Sequence, residues 1–175
     1  DQLGAATLEA SGPSPDLLDE PLGLLGLQCA CAMTQTVLPE RDSQPGAYHA
    51  LSGLLGLFAF PDIWPAVYVR YEAGLLEALG FGLDLSACAV SGDHDDLIYV
   101  SPKSGRAVGR RAGEPYKDKL LHLPGFMLSS QGGLAEGDVV RGLELTGFFL
   151  ERHVFHTHNK PLPDIRLRLK NSLSS

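Results

Sequence analysis

Residues 88–111, "CAVSGDHDDLIYVSPKSGRAVGRR", have the outline of a small zinc knuckle. A structural zinc site needs four thiolate or imidazole ligands, usually in two close pairs, because two short turns must close a tetrahedron. Here Cys88 opens the first turn, but Ser91 stands where C-x-x-C would continue, and the second turn, "SGRAVGR", holds no ligand. His94, Asp95 and Asp96 lie between them, and three polar residues in one turn suit solvation better than coordination. No metal is expected.

A second constellation, "ERHVFHTHN", offers His153, His156 and His158. The first two are about one helical turn apart and could share a metal, which would make a metal-dependent hydrolase the rival reading. The plainer reading is a helix end whose histidines suit the negative pole of the helix dipole. H-E-x-x-H, G-x-S-x-G and G-x-x-x-x-G-K-[ST] are all missing, so metalloprotease, hydrolase and P-loop chemistries lack their parts. Of the three cysteines, Cys29 and Cys31 are too close in an apolar helical run for an unstrained disulfide. They read as small core groups in a protein of the reducing cytoplasm.

Charge is distributed unevenly. The net of −7 combines 2 basic and 14 acidic residues in 1–97 with 12 basic and 7 acidic residues in 98–175. An acidic whole argues against strong autonomous binding to nucleic acid, where neutralised phosphates supply most of the non-specific affinity. Locally the sign reverses: Lys103, Arg106, Arg110, Arg111, Lys117 and Lys119 are interrupted only by Glu114 and Asp118. That strip is either a solvated face or an edge that touches phosphates. Arg70 is one of two basic residues before residue 98 and lies between Val69 and Tyr71. With small neighbours at Ala66, Ala73 and Gly74, it could receive an acidic peptide tipped by an aromatic ring.

The elements that must position these groups are mostly helices. A stripe of Leu22, Leu25, Cys29, Met33 and Val37, with Asp16 or Asp19 as cap and Pro21 in the first turn, predicts a helix over 20–38. Tyr48, Leu51, Leu55 and Phe58 predict a second over 46–59. Ile63, Val67, Tyr71, Leu75 and Leu79 predict a third, capped by Asp62 and ended by Gly80 and Gly82. Residues 97–100 and 106–108 flank "SPKSG" as a hairpin. Residues 114–121 suit one or two helical turns, and "LPGFMLSSQGG" a loop. A long helix over 136–157 would carry Val139, Leu143, Leu150 and Val154, and a last short one, opened by Pro163 and Asp164, Leu167 and Leu173. The expected fold is mainly α, a helical bundle with a small inserted β-hairpin. No apolar run approaches the eighteen or so residues of a membrane span, and 44% apolar with 20% charged residues is a globular balance.

The stretch "VRYEAGLLEALGFGLDLSACAVSG" resembles the C-terminal domain of the RecO family of recombination mediators. Tyr71, Glu72, Leu75, Leu76, Leu79, Gly80, Phe81, Gly82, Leu85 and Cys88 carry an aromatic-Glu pair, a leucine-rich helix, a Gly-aromatic-Gly turn and a cysteine. "FFLERHVFHTHNKPLPDIRLRL" is similar to the family's closing helix and tail. Many members hold four cysteines here, a pattern broken at Ser91, Val108 and Arg111. The resemblance implies a retained scaffold that keeps its shape by packing, without metal or other cofactor. It also implies that "LGAATLEA" is the last strand of an upstream OB-fold that binds single- and double-stranded DNA, with 1–14 as remnant and linker and 15–175 as the helical domain. The implied role is non-enzymatic, with no catalytic residue. It is recombinase loading on single-stranded DNA and strand annealing, with RecR and the tail of single-stranded-DNA-binding protein as partners, on the bacterial nucleoid.

Overall fold

A computed structural model describes residues 15–38, 45–129 and 133–175. The strand expected within 1–14 lies outside the described residues.

Pro21 opens helix α1, Pro21–Val37, where a missing N–H costs nothing. The cap residue is Glu20, not Asp19 or Asp16, and it makes no side-chain cap bond. Leu38 is extended at the far end, as the residue before a proline must be. The buried line of α1 includes Gly23, Gly26, Cys29, Ala30 and Thr34, small enough to let neighbouring helices approach closely, together with the larger Met33. A Cβ at Gly26 would lie 2.7 Å from the Trp64 ring and 2.8 Å from Phe58, so only glycine fits.

Helix α2, Pro45–Leu55, ends earlier than its apolar stripe suggested. Ala47 and Leu54 are its buried residues, while Tyr48 is 54% exposed and Phe58 reaches the core from the turns that follow. An added Cβ at Gly74, on the next helix, would meet the Ala50 methyl at 3.6 Å, an ordinary contact. Helix α3, Trp64–Ala78, buries Trp64, Tyr68, Val69, Tyr71, Glu72, Leu75 and Leu76. Its cap position is Ile63, not Asp62, again without a side-chain bond, and Ile63 itself is exposed. Gly80 takes the left-handed conformation at φ +88°, as a helix terminator should. Gly82 serves a different end: an added Cβ there would lie 3.3 Å from the Glu77 Cα.

Strands β1, Leu97–Val100, and β2, Ala107–Gly109, form the expected hairpin, irregular in register between Leu97 and Tyr99. A third strand, β3, Leu121–His122, pairs on the other side of β1, giving an antiparallel sheet in the order β2-β1-β3. The helical turns expected over 114–121 therefore stop at Lys119. Helix α4, Asp138–Leu150, continues through a π-turn at Glu151–Phe155 and a 3-10 turn at His156–His158, so the long helix changes pitch where the histidines begin. Helix α5, Asp164–Leu173, buries Arg166 and Leu169, while Leu167 faces solvent at 46% exposure. α3 packs between α2 and α4, α5 lies across α1, and the sheet's inner residues Leu97, Tyr99, Val100, Ala107 and Val108 join the same core as the helices. Among the described residues no helix is long and apolar enough to cross a membrane.

Candidate functional site

The knuckle keeps its shape through one sulfur. Cys88 is buried, and its Sγ accepts the N–H of Gly109 at 3.2 Å and that of Ser91 at 3.5 Å. The two turns that would each supply a ligand pair are thus joined by N–H to sulfur bonds. Backbone bonds from Cys88 N–H to Asp93 O and from Gly92 N–H to Cys88 O close the first turn. Burial pushes the Cys88 thiol up, but the Ser91 side chain and the backbone N–H groups of Gly109, Ser91 and Val90 outweigh it and bring it down to about 7. Zinc does not fit this site: Val108 is apolar in β2, Arg111 is cationic, and Ser91 is a weak ligand. Among the described residues no three His, Cys, Asp or Glu side chains are grouped to hold a metal.

The three histidines are not grouped to hold a metal. His153 is stacked between Phe81, at 4.8 Å and 3° between planes, and Phe149, at 5.9 Å and 12°. This is not the free helix end that the sequence suggested. The Gly-Phe-Gly turn after α3 brings Phe81 onto the π-turn, and the ring of His153 fills the gap. His156 and His158 remain exposed.

Half of the basic strip is answered by carboxylates. Arg106 faces Asp84 at 3.9 Å, Arg110 faces Asp96 at 3.1 Å and Lys117 faces Glu114 at 3.0 Å. Lys103, Arg111 and Lys119 form no ion pair among the described residues. Arg110 and Arg111 line a groove with Asp93, His94, Asp95 and Asp96, so the strip runs beside acid of its own.

Arg70 stands exposed on α3, where it lines a groove with Ala73, Gly74, Glu77, Leu83, Leu85 and Met127. Its Nε donates to the carbonyl of Phe126 at 3.0 Å, and its Nη2 donates to the same oxygen. No carboxylate pairs with it among the described residues. Glu77, one groove wall away, is exposed. The arrangement offers a cation in a groove whose apolar wall is Leu83, Leu85 and Met127 and which also holds Glu77.

Two residues from Arg70 lies what the sequence reading missed. Glu72 is fully buried, and its Oε2 accepts from Arg166 Nε at 2.6 Å and from Tyr68 at 2.9 Å. Its Oε1 accepts from Arg166 Nη2 at 2.8 Å and Thr146 at 2.6 Å. Arg166 also reaches the Leu143 carbonyl at 2.8 Å, and Cys29 lies 3.1 Å from the Tyr68 hydroxyl. Burial opposes the charge on Arg166, and Glu72 more than restores it, raising the guanidinium pKa. Burial likewise pushes the Cys29 thiol up to about 12, so it is an inert core group rather than a nucleophile. A second buried cluster joins Tyr71 to Thr34 and to the Ala30 carbonyl. The signal was present: a Glu in the buried phase of α3 and an Arg in that of α5 need each other.

Comparison with known proteins decides the family. A family model described as "Recombination protein O C terminal" matches residues 19–162. The chain belongs to the RecO family. Relatives of this RecO-family chain include the DNA repair protein RecO of Caulobacter sp. strain K31, 62% identical over 99% of this chain and 72% of the relative. That of Phenylobacterium zucineum is 58% identical over the same shares. The DNA repair protein RecO of Rhodospirillum rubrum is 48% identical over 99% of this chain and 71% of its own length. No solved structure matches.

Proposed function

We propose that this protein acts in DNA repair as a recombination mediator that makes and breaks no bond. It helps load a recombinase onto single-stranded DNA coated with single-stranded-DNA-binding protein, and with RecR it anneals complementary strands. The names of its relatives support the repair role. The observation that carries the finer reading is the Arg70 groove. An acidic tail that ends in an aromatic residue and a free carboxylate needs one available cation beside an apolar slot, and Arg70 with Leu83, Leu85 and Met127 supplies both. Glu77 repels part of such a tail and favours an approach with the carboxylate toward Arg70.

Contact with DNA is assigned to the unpaired part of the basic strip, Lys103, Arg111 and Lys119. Arg106, Arg110 and Lys117 contribute less, since each spends part of its field on its own carboxylate. The main DNA-binding surface is proposed to be an OB-fold upstream, with residues 1–14 as its last strand and linker. The relatives are longer than this chain and leave room for one. Action at the cytoplasmic nucleoid follows from the same reading.

A fluorescence annealing assay tests the proposal, using complementary oligonucleotides either naked or coated with single-stranded-DNA-binding protein, with and without RecR. The expected result is faster annealing of coated strands with the wild type and a specific loss on coated strands for Arg70→Ala. No acceleration by the wild type sinks the mediator reading. Equal losses on naked and coated strands remove Arg70 from a tail site.

A further inference from the structure

The guanidinium of Arg70 is held from another part of the fold. A carbonyl that takes both Nε–H and an Nη2–H occupies one side edge of the guanidinium fork. With the side edge taken, the end edge, Nη1 with the remaining Nη2–H, is the one left for a carboxylate, which can meet either edge with two parallel bonds, as Glu72 meets the side edge of Arg166. The carbonyl belongs to the short turn Gly125–Met127, which is itself fixed at several points. Leu123 N–H bonds to Ile98 O at 2.9 Å, tying the turn's entry to β1. Met127 and Leu128 N–H groups close back on Pro124 and Gly125 at 3.1 and 3.0 Å. The Phe126 ring is 3% exposed and lies against Gly142 of α4, where an added Cβ would come within 3.2 Å of it and 2.8 Å of Val69. The same turn places Met127 in the groove wall.

From this we infer that the turn Gly125–Met127 is a positioning element of the Arg70 groove, through Phe126 wedged at the α3–α4 junction. Phe126 touches no ligand. It sets the direction of the Arg70 fork and the place of Met127, so tail affinity depends on a residue far along the chain from α3. A flexible arginine would lose rotamer freedom on binding, and one already clamped loses less. This inference rests on the tail-binding reading of Arg70.

The experiment is a double-mutant cycle on the full chain. Its probe is a fluorescein-labelled synthetic peptide of acidic residues ending in phenylalanine with a free carboxylate. Arg70→Ala is expected to weaken binding about tenfold or more. Phe126→Ala is expected to weaken it severalfold, and the double variant to bind no worse than Arg70→Ala alone, because the turn acts through Arg70. Phe126→Leu, which keeps the wedge apolar, is the second variant and should show a smaller loss with the same non-additivity. Circular dichroism and Trp64 fluorescence report that each variant is folded. Losses that multiply in the double variant, or a folded Phe126→Leu and Phe126→Ala that both bind like wild type, overturn the inference while leaving Arg70 in the site. If Arg70→Ala binds like wild type, the tail reading itself falls.

Discussion

Cys88 shows how one residue can inherit the duty of a metal. In a zinc knuckle the ion draws two turns together; here N–H groups from both turns converge on a single sulfur, and they stabilise it most when it is a thiolate. The thiol is therefore lowered from 9.0 to about 7 despite burial, the strongest influence against it. Since the folded value lies below the unfolded one, this contribution to stability is complete above about pH 9 and is lost as pH falls through 7. Absorbance at 240 nm should show one thiolate titrating near 7 that vanishes in Cys88→Ser, and the melting temperature of that variant should rise less between pH 6 and 9 than the wild type's. A wild-type protein with no thiolate formed by pH 8 contradicts this. Charge at single residues yields a second expectation. Arg111→Glu should reduce the salt slope of DNA binding by about one unit or more, and Arg110→Glu by less, because Arg110 already faces Asp96. Identical slopes for the two variants would remove the distinction between paired and unpaired cations.

At the scale of elements, α5 acts as a clasp. It is short, and its mean composition is polar, yet Arg166 and Leu169 are both buried. Arg166 reaches Glu72 on α3 and the Leu143 carbonyl on α4, and Thr146 of α4 meets Glu72 from the other side. Three helices thus share one carboxylate. Gly147 makes room for the guanidinium, with an added Cβ only 3.2 Å from Nη2. Removing one partner strands the other in a dry interior, so Glu72→Gln or Arg166→Met should each cost about 3–5 kcal/mol by urea denaturation. Replacing both with apolar residues, Glu72→Leu with Arg166→Met, should cost less than the worse single change. A double variant whose cost equals the sum of the two single losses would show no coupling between Glu72 and Arg166 and would overturn this reading.

The whole molecule has one core, not a bundle with a separate sheet. Cys88, Leu97, Tyr99, Val100, Ala107 and Val108 are continuous with Trp64, Leu75, Leu143 and Phe155. Arg152 also donates to the Pro102 carbonyl at 2.6 Å, joining the π-turn after α4 to the tip of the hairpin. Melting followed by Trp64 fluorescence, which reports the bundle, and by far-ultraviolet circular dichroism should give coincident transitions. Pretreatment with a zinc chelator should leave the midpoint unchanged. Separate transitions would make the sheet an independent unit, and a chelator-induced fall would mean that a metal holds the knuckle.

Local chemistry was legible in the chain itself. The helix start at Pro21, the left-handed stop at Gly80, the hairpin around "SPKSG" and the incomplete zinc ligands follow from backbone sterics and ligand arithmetic, which act over a few residues. The RecO pattern over 69–92 and the closing tail were likewise readable. What the tertiary structure decided were relations between distant groups. Ala47, not Tyr48, is buried on α2. His153 went between two phenylalanines because the turn after α3 folds onto the π-turn. β3 pairs on the second edge of β1, a partner its two residues do not announce, since β propensity alone is a weak guide. Glu72 and Arg166, 94 residues apart in sequence, became one buried pair. Periodicity marks which positions of a helix are buried, but the partner that makes a buried charge tolerable, or a carbonyl that aims an arginine, exists only once separate elements have packed.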